Sequence, residues 1–356
     1  MSKRILFTGG GSAGHVTVNL ALIPKFIDMG WDVKYIGSKE GIEKELIKKL
    51  ANVEYIGIST GKLRRYLDRE NLKDPFRVIK GVFQAYQVIR AMKPNVVFSK
   101  GGFVSVPVVL AAWMNRVPII IHESDITPGL ANRISIPFAS KICVTFPEAK
   151  EHIKNDKAVY VGAIIREELM QGSAIKGLTF CGFTRNKPVI LCIGGSLGSQ
   201  KINEILRRNL HHLINRFQVV HICGKGQIDS SYSHYREYKQ FEYVYGELVD
   251  ILAMTDIVIS RAGSNSIFEF LSLNKPMLLI PLSRKASRGD QVLNAQSFKS
   301  SGYCEVLFEE EMNDASFIES VNHVFEKRHE IKKRMSKSGN DNAIDNVVEL
   351  ITANAL

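Results

Sequence analysis

The N-terminal residues predict a strand, a glycine loop and a helix in that order. Arg4–Thr8 is a short β-type run, and it ends directly in the glycine-rich segment Gly9–Gly14. Apolar residues then recur at helical spacing, namely Val18, Leu22, Phe26 and Ile27. Because this period places them on one side of a helix, we expect that helix to pack on the sheet that the strand begins.

The same pattern returns in the second half of the chain. Pro188–Ile193 is apolar and leads into Gly194–Gly198, after which a second set of residues has amphipathic helical spacing: Ile202, Ile205, Leu206 and Leu210. The two glycine loops are separated by about half of the 356 residues. The simplest interpretation is two tandem α/β domains that each open with a ligand-facing glycine turn.

Further β-type runs alternate with helical stretches through both halves. They are Val33–Gly37, Val96–Ser99, Ile119–His122 and Ile142–Thr145, then Val219–Cys223, Ile257–Ser260 and Met277–Ile280. This alternation is typical of parallel sheets, so we predict an α/β chain of two Rossmann-like domains. We place the first domain at 1–163 and the second at 164–340, and a last helix at 341–356 could pack back on the first.

Composition and charge narrow the class of protein. Apolar residues make up 45% and charged residues 23% of the chain, which excludes disordered, collagen-like and disulfide-stapled proteins. The longest nearly apolar stretch, Phe103–Met114, is too short to span a membrane, and five cysteines without metal-ligand spacing indicate a reducing cytosol. The net charge of +11 predicts an anionic partner, which could be a phosphate ligand, nucleic acid or a membrane surface.

The first glycine loop carries candidate phosphate-binding chemistry. Gly9–Gly14 matches the dinucleotide pattern in which glycines let the backbone approach a pyrophosphate at a helix N-terminus. A nicotinamide enzyme would also need an acid at the end of the second strand, where this sequence has Gly37 and Ser38. A tight turn without a ligand is the alternative. His15 follows the loop and could act as a base, or it could be a helix-start histidine that binds backbone.

A second candidate site follows a strand in the C-terminal half. Gly263 and Ser264 open a helix whose backbone N–H groups could take a diphosphate, and Glu269 could accept hydrogen bonds from two ribose hydroxyls. Downstream, the amides of Gln291 and Asn294 could bind sugar hydroxyls. Together these residue types suit a nucleotide diphosphate, whereas an exposed helix acid is the alternative interpretation of Glu269.

Most of the excess positive charge lies between Lys62 and Lys100. This stretch has ten basic residues against three acidic ones. Apolar residues are interleaved with the charges, which is typical of a basic amphipathic helix on an anionic membrane, and the predicted membrane face consists of Lys73, Phe76, Arg77, Ile79, Lys80 and Phe83. The alternative is a core-facing helix whose basic face is solvated.

Taken together, these motifs resemble those of the MurG family of bacterial glycosyltransferases over essentially the whole chain. The resemblance is carried by Thr8–His15, Thr60–Arg65, Gly101–Ser105, His122–Glu123, Gly194–Gly198, Arg261–Ser264 with Glu269, and Asp290–Gln291 with Asn294. It implies a GT-B architecture, in which two Rossmann-like domains face a cleft. It also implies inverting transfer of N-acetylglucosamine from UDP-N-acetylglucosamine to the muramyl C4 hydroxyl of undecaprenyl-pyrophosphoryl-MurNAc-pentapeptide, which converts lipid I to lipid II in peptidoglycan synthesis at the cytoplasmic side of the cell membrane.

The resemblance also implies roles for individual residues. The donor would be held by Arg166, Ser196, Leu248, Gly263, Ser264, Glu269, Gln291 and Asn294. The acceptor and its pyrophosphate would meet the loop residues Gly10, Gly11, Ser12, Gly14, Gly101 and Gly102. His15 is the first candidate for the base, and Glu123 or Asp125 is the second. We expect no cofactor and no metal, since backbone N–H groups and an arginine can stabilise the departing diphosphate.

The chain departs from the family pattern at two places. Where the family usually has His-Glu-Gln-Asn, this chain has His-Glu-Ser-Asp at His122–Asp125, which replaces an amide with a carboxylate. Where the family usually has Asn-Pro before Arg166, this chain has Ala163–Ile164.

A nucleotide-sugar epimerase of similar build is the alternative function, although it would not need the membrane-like segment. A nucleic-acid-binding protein comes third, but no zinc finger or RNA-binding aromatic motif supports it. We therefore expect UDP-N-acetylglucosamine, lipid I and an anionic membrane surface as partners, and no nucleic acid.

Overall fold

The chain divides into two compact units. The computed structural model describes residues 2–12, 14–61, 74–154, 156–195, 198–283, 287–339 and 342–356. The first unit, here called the N-unit, comprises Met1–Ile164 together with Asp341–Leu356, and the second, the C-unit, comprises Ile165–Asn340. Predicted site residues Lys73 and Ser196 lie outside the described residues.

The N-unit is built on a seven-stranded parallel sheet. Its strands are β1 (Arg4–Thr8), β2 (Asp32–Ser38), β3 (Glu54–Ile58), β4 (Val96–Ser99), β5 (Ile119–Glu123), β6 (Lys141–Val144) and β7 (Ala158–Tyr160). Its helices are α1 (Gly14–Asp28), α2 (Ile42–Ile47), α3 (Asp74–Met92), α4 (Ser105–Met114) and α5 (Leu130–Ser135). The strand order is β3-β2-β1-β4-β5-β6-β7, and the paired strands run parallel.

The C-unit repeats this plan with six strands. They are β8 (Val189–Ile193), β9 (Gln218–Ile222), β10 (Tyr238–Phe241), β11 (Ile257–Ser260), β12 (Met277–Leu279) and β13 (Cys304–Val306). Its helices are α6 (Ala174–Cys181), α7 (Gln200–Arg208), α8 (Leu210–Arg216), α9 (Leu248–Met254), α10 (Ser264–Ser272), α11 (Asp290–Ser300) and α12 (Asp314–Met335). The order is β10-β9-β8-β11-β12-β13, again parallel, which confirms the prediction of two Rossmann-like α/β units.

The last helix, α13 (Ala343–Asn354), belongs to the N-unit and packs on α1. Leu22 and Phe26 of α1 share one buried apolar cluster with Val347 and Ile351 of α13. The cluster also contains the strand residue Phe7, whose ring lies 5.8 Å from that of Phe26. The helical period after the first glycine loop therefore corresponds to a buried face, because both the sheet and α13 cover it.

The winding of both sheets reverses at an equivalent position. In the N-unit the reversal lies between β1 and β4, and in the C-unit it lies between β8 and β11. Loops that leave the carboxyl ends of the strands at such a point flank a crevice. The structure accordingly places candidate residues after β1, β4 and β5 in one unit and after β11 and β12 in the other.

Candidate active site

The two glycine loops of the N-unit meet directly after β1 and β4. The backbone N–H of Gly10 donates to the carbonyl oxygen of Gly101 over 3.4 Å. Gly102 has a φ of +82°, and a Cβ there would overlap the carbonyl oxygen of Gly10. Only glycine combines this left-handed backbone with so close an approach, so the second turn is built to lie against the first.

His15 lies in the first turn of α1, and Nδ1 of its ring contacts two groups of the glycine loop. Nδ1 is 3.1 Å from the carbonyl oxygen of Gly10 and 3.0 Å from Oγ of Ser12. Because a carbonyl oxygen only accepts, the contact with Gly10 favours the tautomer that carries hydrogen on Nδ1. The lone pair of that tautomer is on Nε2, which is the arrangement that a general base requires.

A buried carboxylate that the sequence analysis missed fixes the first glycine loop. Glu43 of α2 accepts a hydrogen bond from the N–H of Gly11 over 3.3 Å and one from the N–H of Ser38 over 3.0 Å. The Ser38 hydroxyl also donates to it. An acid therefore does lie near the end of β2, but it comes from the first turn of the following helix, is fully buried and binds the glycine loop.

A cavity of about 730 Å³ opens beside the same loop. Its lining combines Gly11 with the residues after β2 and β3, and it is completed by Arg77 of α3 and by Phe103. Lys39 and Glu40 are also exposed on its wall. A charged recess of this size next to the glycine loops suits a polar substituent of a bound ligand.

Glu123 ends β5 and is 5% exposed. Its Oε1 accepts from the N–H of Asp125 over 3.0 Å, and its Oε2 accepts from the N–H of Gly129 over 2.9 Å and from Nδ2 of Asn132 over 2.8 Å. Burial raises the pKa of Glu123, and the Asp125 carboxylate adds to that effect while Lys100 opposes it. Both oxygens of Glu123 are therefore engaged by donors that shape the loop after β5.

In the C-unit, Arg166 and Glu269 form an ion pair. Nη2 of Arg166 lies 3.3 Å from Oε1 of Glu269, whose side chain is 15% exposed. Burial raises the pKa of Glu269, and the nearby guanidinium acts against the shift. Among the described residues, a Cβ on Gly263 would meet no atom within 4 Å, so the space before the N-terminus of α10 is open. Ser264, the first residue of α10, is buried at that end.

The other predicted donor residues take different positions. Gln291 is in the first turn of α11, and its Oε1 accepts from the N–H of Leu282 over 2.9 Å. Asn294 is fully buried, and its Nδ2 donates to the carbonyl oxygen of Ala262 over 3.2 Å. Its side chain therefore helps to fix the loop before α10. Leu248 begins α9, which packs against the short turn that follows Arg166.

Arg261 holds three segments of the C-unit together. Its Nη2 lies 2.6 Å from Oε1 of Glu309 and donates to Oγ of Ser199 over 2.6 Å, while Nη1 donates to the carbonyl oxygen of Ile280 over 3.0 Å. Burial would raise the pKa of Glu309, but hydrogen bonds from Lys201 and Arg261 lower it. This arginine thus fixes the ends of β11 and β12 to the start of α7, and no sequence signal pointed to Glu309.

Helix α3 presents three large apolar side chains to solvent. Phe76, Ile79 and Phe83 are 75%, 66% and 61% exposed, while the opposite face of the helix is buried through Gly81, Ala85, Ile89 and Met92. Arg77 pairs with Asp74 over 3.3 Å, and Lys80 is exposed. The predicted apolar face therefore does not face the core. Within the described ranges, no helix has both the length and the apolar character required to cross a membrane.

Comparison with known proteins decides the family. The glycosyltransferase family 28 N-terminal domain matches residues 5–144, and the family 28 C-terminal domain matches 189–351. A relative from Geobacillus thermodenitrificans is 59% identical over 351 residues and covers 99% of both chains. One from Clostridium botulinum (strain Hall) is 55% identical over 349 residues and covers 98% of both. Both are named UDP-N-acetylglucosamine--N-acetylmuramyl-(pentapeptide) pyrophosphoryl-undecaprenol N-acetylglucosamine transferase. The chain belongs to the MurG family.

Solved structures agree with the fold of this family. MurG of Acinetobacter baumannii matches with a TM-score of 0.77 at 23% identity and covers 99% of both chains. The UDP-GlcNAc 2-epimerase of Neisseria meningitidis, solved with UDP-GlcNAc bound, matches with a TM-score of 0.72 at 15% identity over 99% of this chain and 100% of its own. At these identities the likeness shows the fold alone, and it does not distinguish a transferase from an epimerase.

Proposed function

We infer that this chain transfers N-acetylglucosamine from UDP-N-acetylglucosamine to N-acetylmuramyl-(pentapeptide) pyrophosphoryl-undecaprenol, the step from lipid I to lipid II. The observation that carries this function is the identity of 59% over 99% of both chains to a transferase of that name. The epimerase alternative is not favoured, because its support is a fold likeness at 15% identity. The direct test is incubation with radiolabelled UDP-N-acetylglucosamine and a lipid I analogue. Label in the lipid fraction is expected, whereas conversion of the free nucleotide sugar alone would support the epimerase.

We propose that the donor binds the C-unit after β8, β11 and β12. Glu269 would accept hydrogen bonds from the ribose hydroxyls, and the open N-terminus of α10 beside Gly263 would receive the diphosphate. Arg166, which pairs with Glu269 over 3.3 Å, supplies a cation for the same diphosphate. Gln291 would bind the sugar through its amide, and Asn294 would act from its buried position by shaping the loop.

We propose His15 as the general base. The C4 hydroxyl oxygen of the muramyl unit bonds to C1 of the donor sugar as the bond from C1 to the UDP oxygen breaks, and the hydroxyl proton passes to Nε2 of His15. Nδ1 remains bonded to the Gly10 carbonyl, which stabilises the imidazolium that forms. Glu123 is less suited to the task because both of its oxygens already accept hydrogen bonds from the loop.

The test of the base compares His15→Gln with the exposed control His152→Gln. A general base contributes about 100- to 10,000-fold to rate, so the first variant should lose that much turnover. UDP affinity should stay unchanged, since the proposed donor site is on the C-unit. Turnover of His15→Gln within a few-fold of wild type would transfer the role to Asp125, which then becomes the next residue to test.

We propose that α3 docks the enzyme on the anionic cytoplasmic surface of the cell membrane as a peripheral protein. An undecaprenol-linked acceptor lies in a membrane, so the enzyme must meet it there. Each basic residue near an anionic leaflet adds about 1 kcal/mol, and each fully buried apolar side chain adds about 1.5 to 3 kcal/mol. Insertion of the exposed side chains of Phe76, Ile79 and Phe83 would therefore contribute apolar binding free energy. Neighbouring cations such as Lys80 would contribute electrostatic binding free energy.

The docking test is sedimentation with anionic and with neutral vesicles at low and high salt. Phe76→Ser with Phe83→Ser should lower binding to both vesicle types, because the apolar term does not depend on lipid charge. The triple change of Lys73, Arg77 and Lys80 to alanine should lower binding to anionic vesicles and reduce its salt dependence. Ile175→Ser with Ile228→Ser, exposed apolar residues of the C-unit, is the matched control. Equal binding by all proteins would leave α3 without a membrane role.

A further inference from the structure

A buried lysine side chain connects the loop after β4 with the loop after β5. Lys100 follows β4 and directly precedes Gly101 and Gly102, yet its side chain is only 3% exposed. Its Nζ donates a hydrogen bond to Oγ of Ser124, which follows β5. A charge this deeply buried is costly unless opposite charges and hydrogen bonds compensate it, so the fold must supply a reason for it.

Two carboxylates supply that compensation. Burial lowers the pKa of Lys100, while the carboxylates of Glu123 and Asp125 act in the opposite direction. The charge of Lys100 also acts on His122. Burial and, after it, the Lys100 charge lower the pKa of His122 well below its ordinary value, which keeps the imidazole neutral. The cluster therefore combines one lysine with two carboxylates, those of Glu123 and Asp125.

The cluster is connected to the glycine turns by packing. Asn132, which donates to Glu123 over 2.8 Å, lies under the second turn, since a Cβ on Gly101 would come within 2.7 Å of its Oδ1. The next residue, Gly102, contacts the Gly10 carbonyl that holds His15, and a Cβ on it would lie 3.1 Å from Nδ1 of that ring. A shift in the loops after β4 and β5 would thus reach the imidazole without any change to the ring's own bonds.

We propose that Lys100 is a positioning residue for the acceptor side of the reaction: its ammonium binds Ser124, compensates the carboxylates of Glu123 and Asp125, and holds the loops after β4 and β5 in the arrangement that fixes His15. Being buried, Lys100 acts through Ser124, Asp125 and the glycine turn and makes no contact with substrate. The proposal rests on the transfer reaction proposed above.

The test is a double-substitution cycle of Lys100→Met and Asp125→Asn, read both as kcat for transfer and as the urea midpoint of unfolding. Lys100→Met leaves the carboxylates uncompensated, so kcat should fall about 3- to 30-fold, the range expected for coupling through such a network. Because Asp125→Asn removes one of the two carboxylates, Lys100→Met should reduce kcat less in the Asp125→Asn background than in the wild type. Lys48→Met, an exposed lysine of the N-unit, should change neither readout. Affinity for UDP should stay the same throughout.

The outcomes separate this proposal from the function on which it rests. A smaller effect of Lys100→Met in the Asp125→Asn background than in the wild type, both on kcat and on the unfolding midpoint, supports charge compensation. A purely structural loss at position 100 would not depend on the charge at position 125. Additive effects of the two changes overturn the proposal. If the two substitutions are coupled in the unfolding midpoint but Lys100→Met has a normal kcat, Lys100 stabilises the fold without positioning His15, and the positioning role is overturned. A wild-type protein that transfers no sugar would contradict the function, and the unfolding cycle would still report whether the two charges compensate each other.

Discussion

The ion pair of the C-unit leads to a quantitative prediction for donor binding. In the free protein, Nη2 of Arg166 lies 3.3 Å from Oε1 of Glu269, and the Glu269 side chain is 15% exposed. When UDP binds, we expect the carboxylate to exchange this partner for two ribose hydroxyls while the guanidinium turns to the diphosphate. Glu269→Gln removes the charge and keeps the volume, so it isolates the charged acceptor.

The size of the effect follows from the kind of bond that is lost. A hydrogen bond to a charged group contributes about 1.5 to 3 kcal/mol. Glutamine keeps one carbonyl acceptor, so Glu269→Gln should cost about 1.5 to 2 kcal/mol, which raises the Kd for UDP by about 10- to 30-fold. Glu269→Ala removes both acceptors and should approach about 100-fold.

Isothermal titration of UDP measures these constants directly. The matched control is Glu168→Gln, because Glu168 also lies near Arg166, at 3.9 Å from its Nη1, but is 73% exposed. Exposed pairs contribute little, so this control should stay within about twofold of wild type. If Glu269→Gln and Glu168→Gln gave the same Kd, Glu269 would have no part in donor binding, and the reasoning from burial and charge would be refuted.

Two further predictions concern stability. The ring of His221 lies 2.7 Å from Oη of Tyr238 and 2.8 Å from Oδ1 of Asn203, and burial lowers its pKa to about 3. Because the unfolded chain takes up this proton near pH 6.5, stability present above pH 6.5 is lost as the pH falls toward 3, about 2 kcal/mol of it by pH 5. His221→Gln should flatten this part of a series of urea titrations, and an unchanged slope would contradict the assignment. Gly102→Ala should lower the free energy of unfolding by about 1 to 3 kcal/mol, because alanine is strained in the left-handed backbone of Gly102. The variant should also transfer less sugar but still bind UDP. Normal thermal unfolding together with normal turnover would contradict the close approach of Gly102 to the Gly10 carbonyl.

The apolar pattern predicted the central strands and missed strands at the sheet edges. The strands from β4 to β6 are mostly apolar and buried, because helices cover both faces of a parallel sheet. The predicted strands do not include β3, β10 or β13, all of which are edge strands. An edge strand is less enclosed, so it tolerates the residues of β10, Tyr-Lys-Gln-Phe, and the three-residue length of β13. The apolar sequence pattern that predicts strands is therefore weaker in the less buried edge strands.

The candidate site divides in a similar way between what the sequence reveals and what the fold adds. Glycine loops and the helix starts that follow them are local patterns, so His15 and Glu269 could be singled out before the structure was seen. Glu43 could not, because its bond to Gly11 spans 32 positions. Asn294 was singled out as a sugar ligand, but the structure gives it a buried bond to a backbone carbonyl. A residue type and its place after a strand do not show which way its side chain turns.

The buried charged groups explain why glycine turns alone do not define this site. A glycine has no side chain with which to hold its own conformation, so each turn depends on side chains from neighbouring strands and helices. In the N-unit those groups are the carboxylates of Glu43 and Glu123 with the ammonium of Lys100, and in the C-unit Arg261 and Glu309 connect the strand ends to the start of α7. In both units, therefore, buried charged side chains fix the turns that follow the strands, but the charged residues differ between the units. Substitutions at these buried charged groups should thus disturb the reaction as strongly as substitutions in the glycine motifs, although Glu43, Lys100 and Glu309 lie outside the sequence motifs.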